Sequence, residues 1–428
     1  MIKVEERKLP QHNLKSERFF EVKRLYLPLS QHTGRPSKSL VKPRDNVNEA
    51  QIIAEGDGLI SAHLSAPKKG KVVAIDNFNH PVLKRSPSIF LDCLDDKKRY
   101  LKRIYLDNLG KDALLEIIRR AGIVGMGGAC FPSHVKLNPP KRVDTLIVNG
   151  CECEPYLVCD YRLMAENAEQ IFKGVEIIAK ILLPREVIFA IEDNKPEAIK
   201  RFNLLVSIRK FALPSPKISV LKSAYPQGGE KQLIYKLTKR KVPSGGLPYE
   251  VGCLVHNVGT CFAIYEAVYF DKPLIERLVT FGGRALKQPK NIWLKIGTSI
   301  KDLFEKKVLE FKEQPRKIVY GGPMMGIALE HLDYPILKGT TGILFLTKEE
   351  IDLQDESSCI RCARCVDSCP MELLPLEYVK RVRHSEFNRL NEFYIKDCIE
   401  CGICSYVCPA KIPIVHYIKL GKRYAVSD

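Results

Sequence analysis

Cys359-Ile360-Arg361-Cys362-Ala363-Arg364-Cys365-Val366-Asp367-Ser368-Cys369-Pro370 is answered in the same spacing by Cys398-Ile399-Glu400-Cys401-Gly402-Ile403-Cys404-Ser405-Tyr406-Val407-Cys408-Pro409. Each half reads C-x2-C-x2-C-x3-C-P, the run that holds cubane iron–sulfur clusters and whose fourth cysteine ligates the other cluster when there are two. Three closely spaced thiolates wrap a loop around three corners of a cubane, and the fourth ligand has to come from elsewhere. The expected pairing is therefore crossed. Cys359, Cys362, Cys365 and Cys408 hold one [4Fe-4S] cluster, and Cys398, Cys401, Cys404 and Cys369 hold the other. Between the two runs, Leu373 to His384 has helical spacing, so residues 348–428 are expected to form an all-helical dicluster ferredoxin domain.

Structural zinc prefers two short Cys or Cys/His pairs separated by a knuckle, and four cysteines this compressed with a trailing proline suit a cluster better. A disulfide framework is also the poorer reading. The opening Met1-Ile2-Lys3-Val4-Glu5-Glu6-Arg7 carries no apolar stretch of a secretory signal, and a chain of 428 residues needs no staples. The thiols point to a reducing cytosol. Cys93, Cys130, Cys151, Cys153, Cys159, Cys253 and Cys261 are scattered and read as small core residues, with Cys151 and Cys153 the one pair where a redox role is conceivable.

The length suits several domains, and no run reaches the eighteen or so apolar residues of a membrane span. The formal net charge of +18 suits an acidic partner, an anionic membrane face or phosphate-bearing cofactors. Its lysines and arginines are spread along the chain without a binding motif, so nucleic acid is not expected as a partner.

Residues 1–23 are polar and charged, and are expected as a mobile arm. Across 24–95, strand-length segments such as Leu25-Tyr26-Leu27-Pro28-Leu29, Ile52-Ile53-Ala54 and Lys71-Val72-Val73-Ala74-Ile75 alternate with turn residues, as in a small all-β module. Their layout resembles the lipoyl-type barrel-sandwich hybrid, without the modifiable-lysine motif of those carriers. Residues 96–270 alternate helical and strand patterns, which predicts an α/β domain. Its helix at Ala113–Ala121 ends on Gly122, and Thr145–Val148 and Val187–Ile191 read as buried strands. Such a domain binds its ligand in a crevice at the strand ends.

The loops there carry the polar chemistry. Gly122-Ile123-Val124-Gly125-Met126-Gly127-Gly128-Ala129-Cys130-Phe131-Pro132 offers backbone N–H groups that can cradle a phosphate. It follows a helix rather than a strand, so it is not the dinucleotide fingerprint. Asn149-Gly150-Cys151-Glu152-Cys153-Glu154-Pro155-Tyr156 leaves the first buried strand. Tyr225-Pro226-Gln227-Gly228-Gly229-Glu230-Lys231-Gln232 and His256-Asn257-Val258-Gly259-Thr260 add further turns.

Together with Phe131, Pro132, His134, Val135, Lys136 and the two cluster motifs, these segments resemble the C subunit of the Rnf electron-transport complex. The middle domain is also similar to the flavin-bearing, NADH-oxidising subunit of respiratory complex I. The resemblance implies an FMN lined by Gly125, Gly127 and Gly128, with Lys136 near its phosphate and Asn149 and Asn257 hydrogen-bonded to it. It further implies that Phe131 stacks on the dinucleotide and that Glu152, Glu154 and Glu230 help to hold the nucleotides. Residues 271–347, marked by Val279-Thr280-Phe281-Gly282-Gly283 and Tyr320-Gly321-Gly322-Pro323-Met324-Met325-Gly326, resemble the β-grasp module that follows the flavin domain in this family.

By that resemblance the chain is an NAD(H)-linked flavin iron–sulfur oxidoreductase subunit, peripheral on the cytoplasmic face of the inner membrane. Membrane-embedded and ferredoxin-like subunits are its expected partners. Two alternatives stand beside it: a soluble reductase of the cobalamin-reductase type, and an electron-relay subunit whose flavin pocket has decayed. Cys130 stands where the complex I relative has glycine, which disfavours a positive φ, and Cys151 replaces an acidic residue, which removes one flavin contact.

Overall fold

The computed structural model describes residues 1–8, 10–94, 109–208 and 214–425. The expected boundary between residues 95 and 96 lies outside them.

The N-terminal module is two facing β-sheets. Arg24–Pro28, Lys84–Cys93, Gly70–His80 and Asn46–Val47 form one, and Lys38–Ser39, Ile52–Glu55 and Leu64–Ser65 the other. Alternation along the strands sends Leu25, Leu27, Val47, Ile53, Val72, Ile89 and Leu91 into the space between them, where each is almost fully buried.

The middle domain is a four-stranded parallel sheet in the order Lys217–Leu221, Glu186–Glu192, Thr145–Gly150, Cys253–Asn257. Its two central strands are buried on both faces, which is why they read as continuous apolar runs. Leu146, Val148 and Leu254 face the helices Ala168–Leu182 and Val258–Phe270. Ile147 and Val255 face the helix Glu230–Thr238 on the other side. A side chain at Gly174 would run into the Cys261 carbonyl, so the first two helices can close on each other only with glycine there.

Residues 276–346 form a mixed sheet. Counted from Glu276–Gly282, its strands run in the order 2-1-5-3-4, with the first and last parallel at the centre, which is the order of a β-grasp. A sixth strand comes from the N-terminus.

That strand corrects the mobile arm expected at 1–23. Ser16–Phe19 pairs in parallel with Lys290–Lys295, and Ile2 pairs with Tyr225. Lys8 is buried, and its Nζ donates to the carbonyls of Glu152 at 2.5 Å and Leu157 at 2.7 Å. The charged composition hid this, because Lys8 and Gln11 satisfy backbone carbonyls of the middle domain instead of facing water.

The cysteine domain is helical, with no strand among its described residues. Its sequence repeat is also a repeat of backbone: Arg361 and Ala363 have positive φ, as do Glu400 and Gly402 at the matching positions, and Glu372 is matched by Lys411. Arg364–Asp367 and Pro375–Arg383 correspond in the same way to Ile403–Tyr406 and Ile414–Tyr424. No helix among the described residues is long and apolar enough to cross a membrane.

Candidate functional site: a glycine-lined crevice against eight cysteines

The crevice lies at the carboxyl ends of the parallel strands, the place where open α/β sheets bind ligands. Asn149 and Asn257 stand side by side there, paired in register on adjacent strands. Their side chains brace the rim. Asn149 Nδ2 donates to the Gly228 carbonyl at 2.9 Å and its Oδ1 accepts from Cys151 N at 3.1 Å. Asn257 Oδ1 accepts from Gly259 N at 2.8 Å, capping the helix Val258–Phe270, and its Nδ2 donates to Asp160 Oδ2 at 2.5 Å.

The glycine-rich loop is folded over the end of Asn257. A Cβ at Gly127 would touch Asn257 at 3.4 Å, whereas one at Gly128 would meet nothing within 4 Å. Gly128 has φ +135°, a conformation closed to other residues. Gly125 N donates to the Phe131 carbonyl at 2.8 Å, and this tight closure holds Cys130 at φ +51° although it is not glycine. The substitution at 130 therefore does not prevent the left-handed turn. Met126 N donates to Thr260 Oγ1 at 3.0 Å.

Two buried basic side chains of the β-grasp module hold this loop from beneath, and sequence reading missed both. Arg277 donates from Nε to the Thr340 carbonyl at 2.9 Å and from one terminal nitrogen to the Met126 carbonyl at 3.3 Å. Lys338 Nζ donates to the carbonyls of His63 at 2.6 Å and Gly122 at 2.7 Å, joining three modules at one atom. Burial pushes the Lys338 ammonium down to about 7, with the Cys130 thiol opposing the shift. Lone basic residues in apolar surroundings give no pattern from which to foresee such contacts.

Lys136 Nζ donates to Glu230 Oε1 at 2.7 Å across the mouth of the crevice, both side chains partly exposed. His256 is buried beside Lys136, and burial, then Lys136, keeps its imidazole neutral. Its Nε2, the Ser133 hydroxyl and Gln227 Nε2 have no hydrogen-bond partner among the described residues. Open glycine backbone, a partly exposed cation and orphaned buried donors in the flanking segments suit a phosphate-bearing planar ligand.

Glu152 and Glu154 are placed differently from the other expected contacts. Glu152 accepts from Asp160 N at 2.8 Å and Tyr161 N at 3.0 Å, at the start of the helix Cys159–Glu166. Burial and Glu152 together raise the Asp160 carboxyl. Glu154 turns out of the crevice to accept from Met324 N at 3.1 Å and Met325 N at 2.9 Å. The Cys151 thiol is buried and lies 3.7 Å from the Ala190 carbonyl.

The eight motif cysteines gather into two groups. Cys359, Cys362, Cys365 and Cys408 line one concavity, and Cys369, Cys398, Cys401 and Cys404 line another. The first opens to solvent, since Cys359 and Cys362 are exposed. Backbone N–H groups of Arg361 and Glu400 point at the sulfurs of Cys359 and Cys398, each at 3.4 Å. Burial raises the Cys401 thiol to about 11 and that of Cys404 further. Such thiols give up their protons to a metal core, so loading releases protons.

The crevice and the second group of cysteines are joined. Tyr225 is buried and its hydroxyl donates to the Cys401 carbonyl at 2.7 Å, while Gly228, three residues on, is held by Asn149. Cys153, Met324, Ile2 and Val4 pack around Tyr225, Cys401 and Ile403. Asp397 accepts from Gly245 N at 3.1 Å and pairs with Lys231 at 3.5 Å, and Gln232 Nε2 donates to the Pro370 carbonyl at 3.3 Å.

Comparison with known proteins finds three domain families along the chain. The RnfC barrel sandwich hybrid domain matches residues 2–96, the Nuo51 FMN-binding domain residues 118–266, and the 4Fe-4S dicluster domain residues 358–412. The C subunit of the proton-translocating ferredoxin:NAD(+) oxidoreductase complex of Clostridium ljungdahlii is 48% identical over 360 residues, covering 82% of this chain and 77% of its own. The C subunit of the Na(+)-translocating ferredoxin:NAD(+) oxidoreductase complex of Acetobacterium woodii is 38% identical over 409 residues, covering 94% and 91%. An NAD+-reducing [NiFe]-hydrogenase shares the fold, with a TM-score of 0.51 at 17% identity over 73% of this chain and 60% of that one. Fold and site thus define a flavin and iron–sulfur electron-transfer protein. The chain belongs to the RnfC family, the C subunits of the ion-translocating (Rnf) oxidoreductase complexes.

Proposed function

We propose that this chain is the NAD(H)-exchanging subunit of a membrane-bound ferredoxin:NAD oxidoreductase complex, carrying one FMN and two [4Fe-4S] clusters. The observation that carries the reading is the junction at Tyr225, which ties the crevice to one group of four cysteines and leaves the other group open to solvent. A bound flavin exchanges hydride as a pair of electrons and passes electrons singly, which is what links NAD(H) to one-electron clusters.

The residues have separable tasks. Gly125, Gly127 and Gly128 line the flavin, with the Gly125 N–H spent on the Phe131 carbonyl that closes the loop, Lys136 meets the phosphate, and Asn149 and Asn257 fix the strand ends beneath it. Phe131, at the turn that closes the glycine loop, stacks on the dinucleotide, and Glu230 sets the position of Lys136. Glu152 serves the nucleotides through the loop it braces, whereas Glu154 is turned to the amides of Met324 and Met325. The crossed cysteine sets hold the clusters, a reading supported by the two four-cysteine concavities. Membrane-embedded partners carry the ion path, a ferredoxin-like partner meets the exposed cluster, and the chain sits on the cytoplasmic face of the inner membrane.

Anaerobic EPR of the cluster-loaded chain, reduced by NADH in one sample and by dithionite in another, tests this. Cluster signals in both are expected. Signals with dithionite alone, in protein without flavin, would leave only an electron-relay subunit.

A further inference from the structure

Glu154 is the one expected nucleotide contact that the fold carries to the β-grasp module instead, one tyrosine away from the cysteine domain. Its carboxylate lies so close over Gly322 that any side chain there would collide with Oε2, and it accepts from the amides of Met324 and Met325. The Tyr225 hydroxyl lies 3.5 Å from Oε1 and donates its proton to the Cys401 carbonyl at 2.7 Å. A hydroxyl has a single proton to give. While it points at Cys401, the Tyr225 oxygen shows Glu154 a lone pair, which repels a carboxylate and accepts from a carboxylic acid. An ionised Glu154 draws the hydroxyl proton to itself and leaves the Cys401 carbonyl bare.

We propose that Glu154 is a proton-accepting group coupled to the cluster held by Cys369, Cys398, Cys401 and Cys404, with Tyr225 as the positioning residue between them. This rests on the cluster reading given above. When a one-electron donor reduces that cluster, the Glu154 carboxylate takes one proton from solvent and becomes a carboxylic acid, so the junction gains an electron and a proton and its net charge is unchanged. Removal of the electron releases the proton. Added negative charge in a buried site disfavours a carboxylate close by, which supplies the coupling. Met325, half exposed, places the far end of the carboxylate near solvent.

The surroundings poise the group for this. Burial pushes the Glu154 carboxyl up to about 7, against the two amides and the Lys8 ammonium. Lys8 is the cation facing it from the N-terminal segment, Cys153 is the neighbouring thiol on its own loop, and Tyr225 faces it from the segment 225–232. The turn Gly322-Pro323-Met324-Met325 brings no titratable side chain. Cys401 is the ionisable group beyond Tyr225.

The test is an EPR-monitored redox titration of the cluster-loaded full chain on the acid and the alkaline side of pH 7. In the unaltered protein the second cluster's potential should fall as pH rises, approaching one proton per electron, while the first cluster's stays constant. Glu154→Gln should abolish the dependence, Glu154→Asp should restore it, and Tyr225→Phe should weaken it with both signals present. A pH-independent second cluster in the unaltered protein, or a dependence that survives Glu154→Gln, would overturn the proposal. Protein that takes up no clusters would overturn the cluster reading itself, and this proposal with it. The first cluster's signal and the thermal transition of each variant identify any that simply fails to fold.

Discussion

Cys408 and Cys369 are each separated by a whole helical unit from the cysteines whose concavity they share, so single substitutions there distinguish crossed from local ligation. Cys408→Ala should remove the EPR signal of the cluster held by Cys359, Cys362 and Cys365 and leave the other in place. Loss of the opposite signal would reverse the assignment. Phe131 is the complementary case, since it touches no cluster. Phe131→Ala should lower NADH oxidation by up to about tenfold, the scale of one lost aromatic stacking contact. Its cluster content should be unchanged, and unaltered turnover would remove Phe131 from the nucleotide site. At this scale the cysteine spacing was legible, and the structure brings the eight motif cysteines into two groups and sets the glycine loop and Lys136 at the crevice. What could not be read was the direction of individual side chains. Glu152 and Glu154 differ by two positions, yet one caps a helix and the other reaches another module.

Among the elements, the loop 122–132 depends on parts of the chain remote from it. Lys338 needs two N–H groups for its two carbonyl acceptors, and a neutral amine has two. Its folded-state value of about 7 lies below the ordinary lysine value of about 10.4. Between these the unfolded chain holds the proton and the folded chain does not, so stability rises with pH across that window, by at most about 1.4 kcal/mol per unit. Denaturant melts at pH values inside the window should show the unaltered protein gaining on Lys338→Met as pH rises. Parallel curves would place the ammonium in contact with water. The strands and helices themselves were largely readable. Thr145–Gly150 and Glu186–Glu192 extend the expected segments by a residue or two at their ends, and the expected helix 373–384 is Pro375–Arg383. Element ends are set by the partner strand or cap, which local pattern does not contain.

Over the whole molecule, the N-terminal segment works as a strap across the junction of middle domain and clusters. Ile2 pairs with Tyr225, Lys8 reaches two carbonyls, and Arg7 donates to the Tyr156 hydroxyl at 3.1 Å, which in turn donates to Glu350 at 2.7 Å. Deleting residues 1–8 leaves those buried carbonyls unsatisfied and should cost about 2 kcal/mol or more. Ile2 and Val4 pack beside Cys401, so the cluster proposed at Cys369, Cys398, Cys401 and Cys404 should then bleach faster in air than in the unaltered chain, with the one proposed at Cys359, Cys362, Cys365 and Cys408 unaffected. Equal bleaching of both would show that the strap shields neither.

The sequence by itself determined the 4Fe-4S domain, because three cysteines of each motif lie within one short loop and the constraint is local enough to be written as spacing. It also determined the alternation that builds the parallel sheet and hence the crevice at its strand ends. Only the tertiary structure decided what meets there. Tyr225 and Cys401 stand 176 positions apart, and Lys338 and Gly122 216. Each such contact is a buried donor finding a carbonyl once the modules have packed, and it leaves no periodicity in the chain that supplies it.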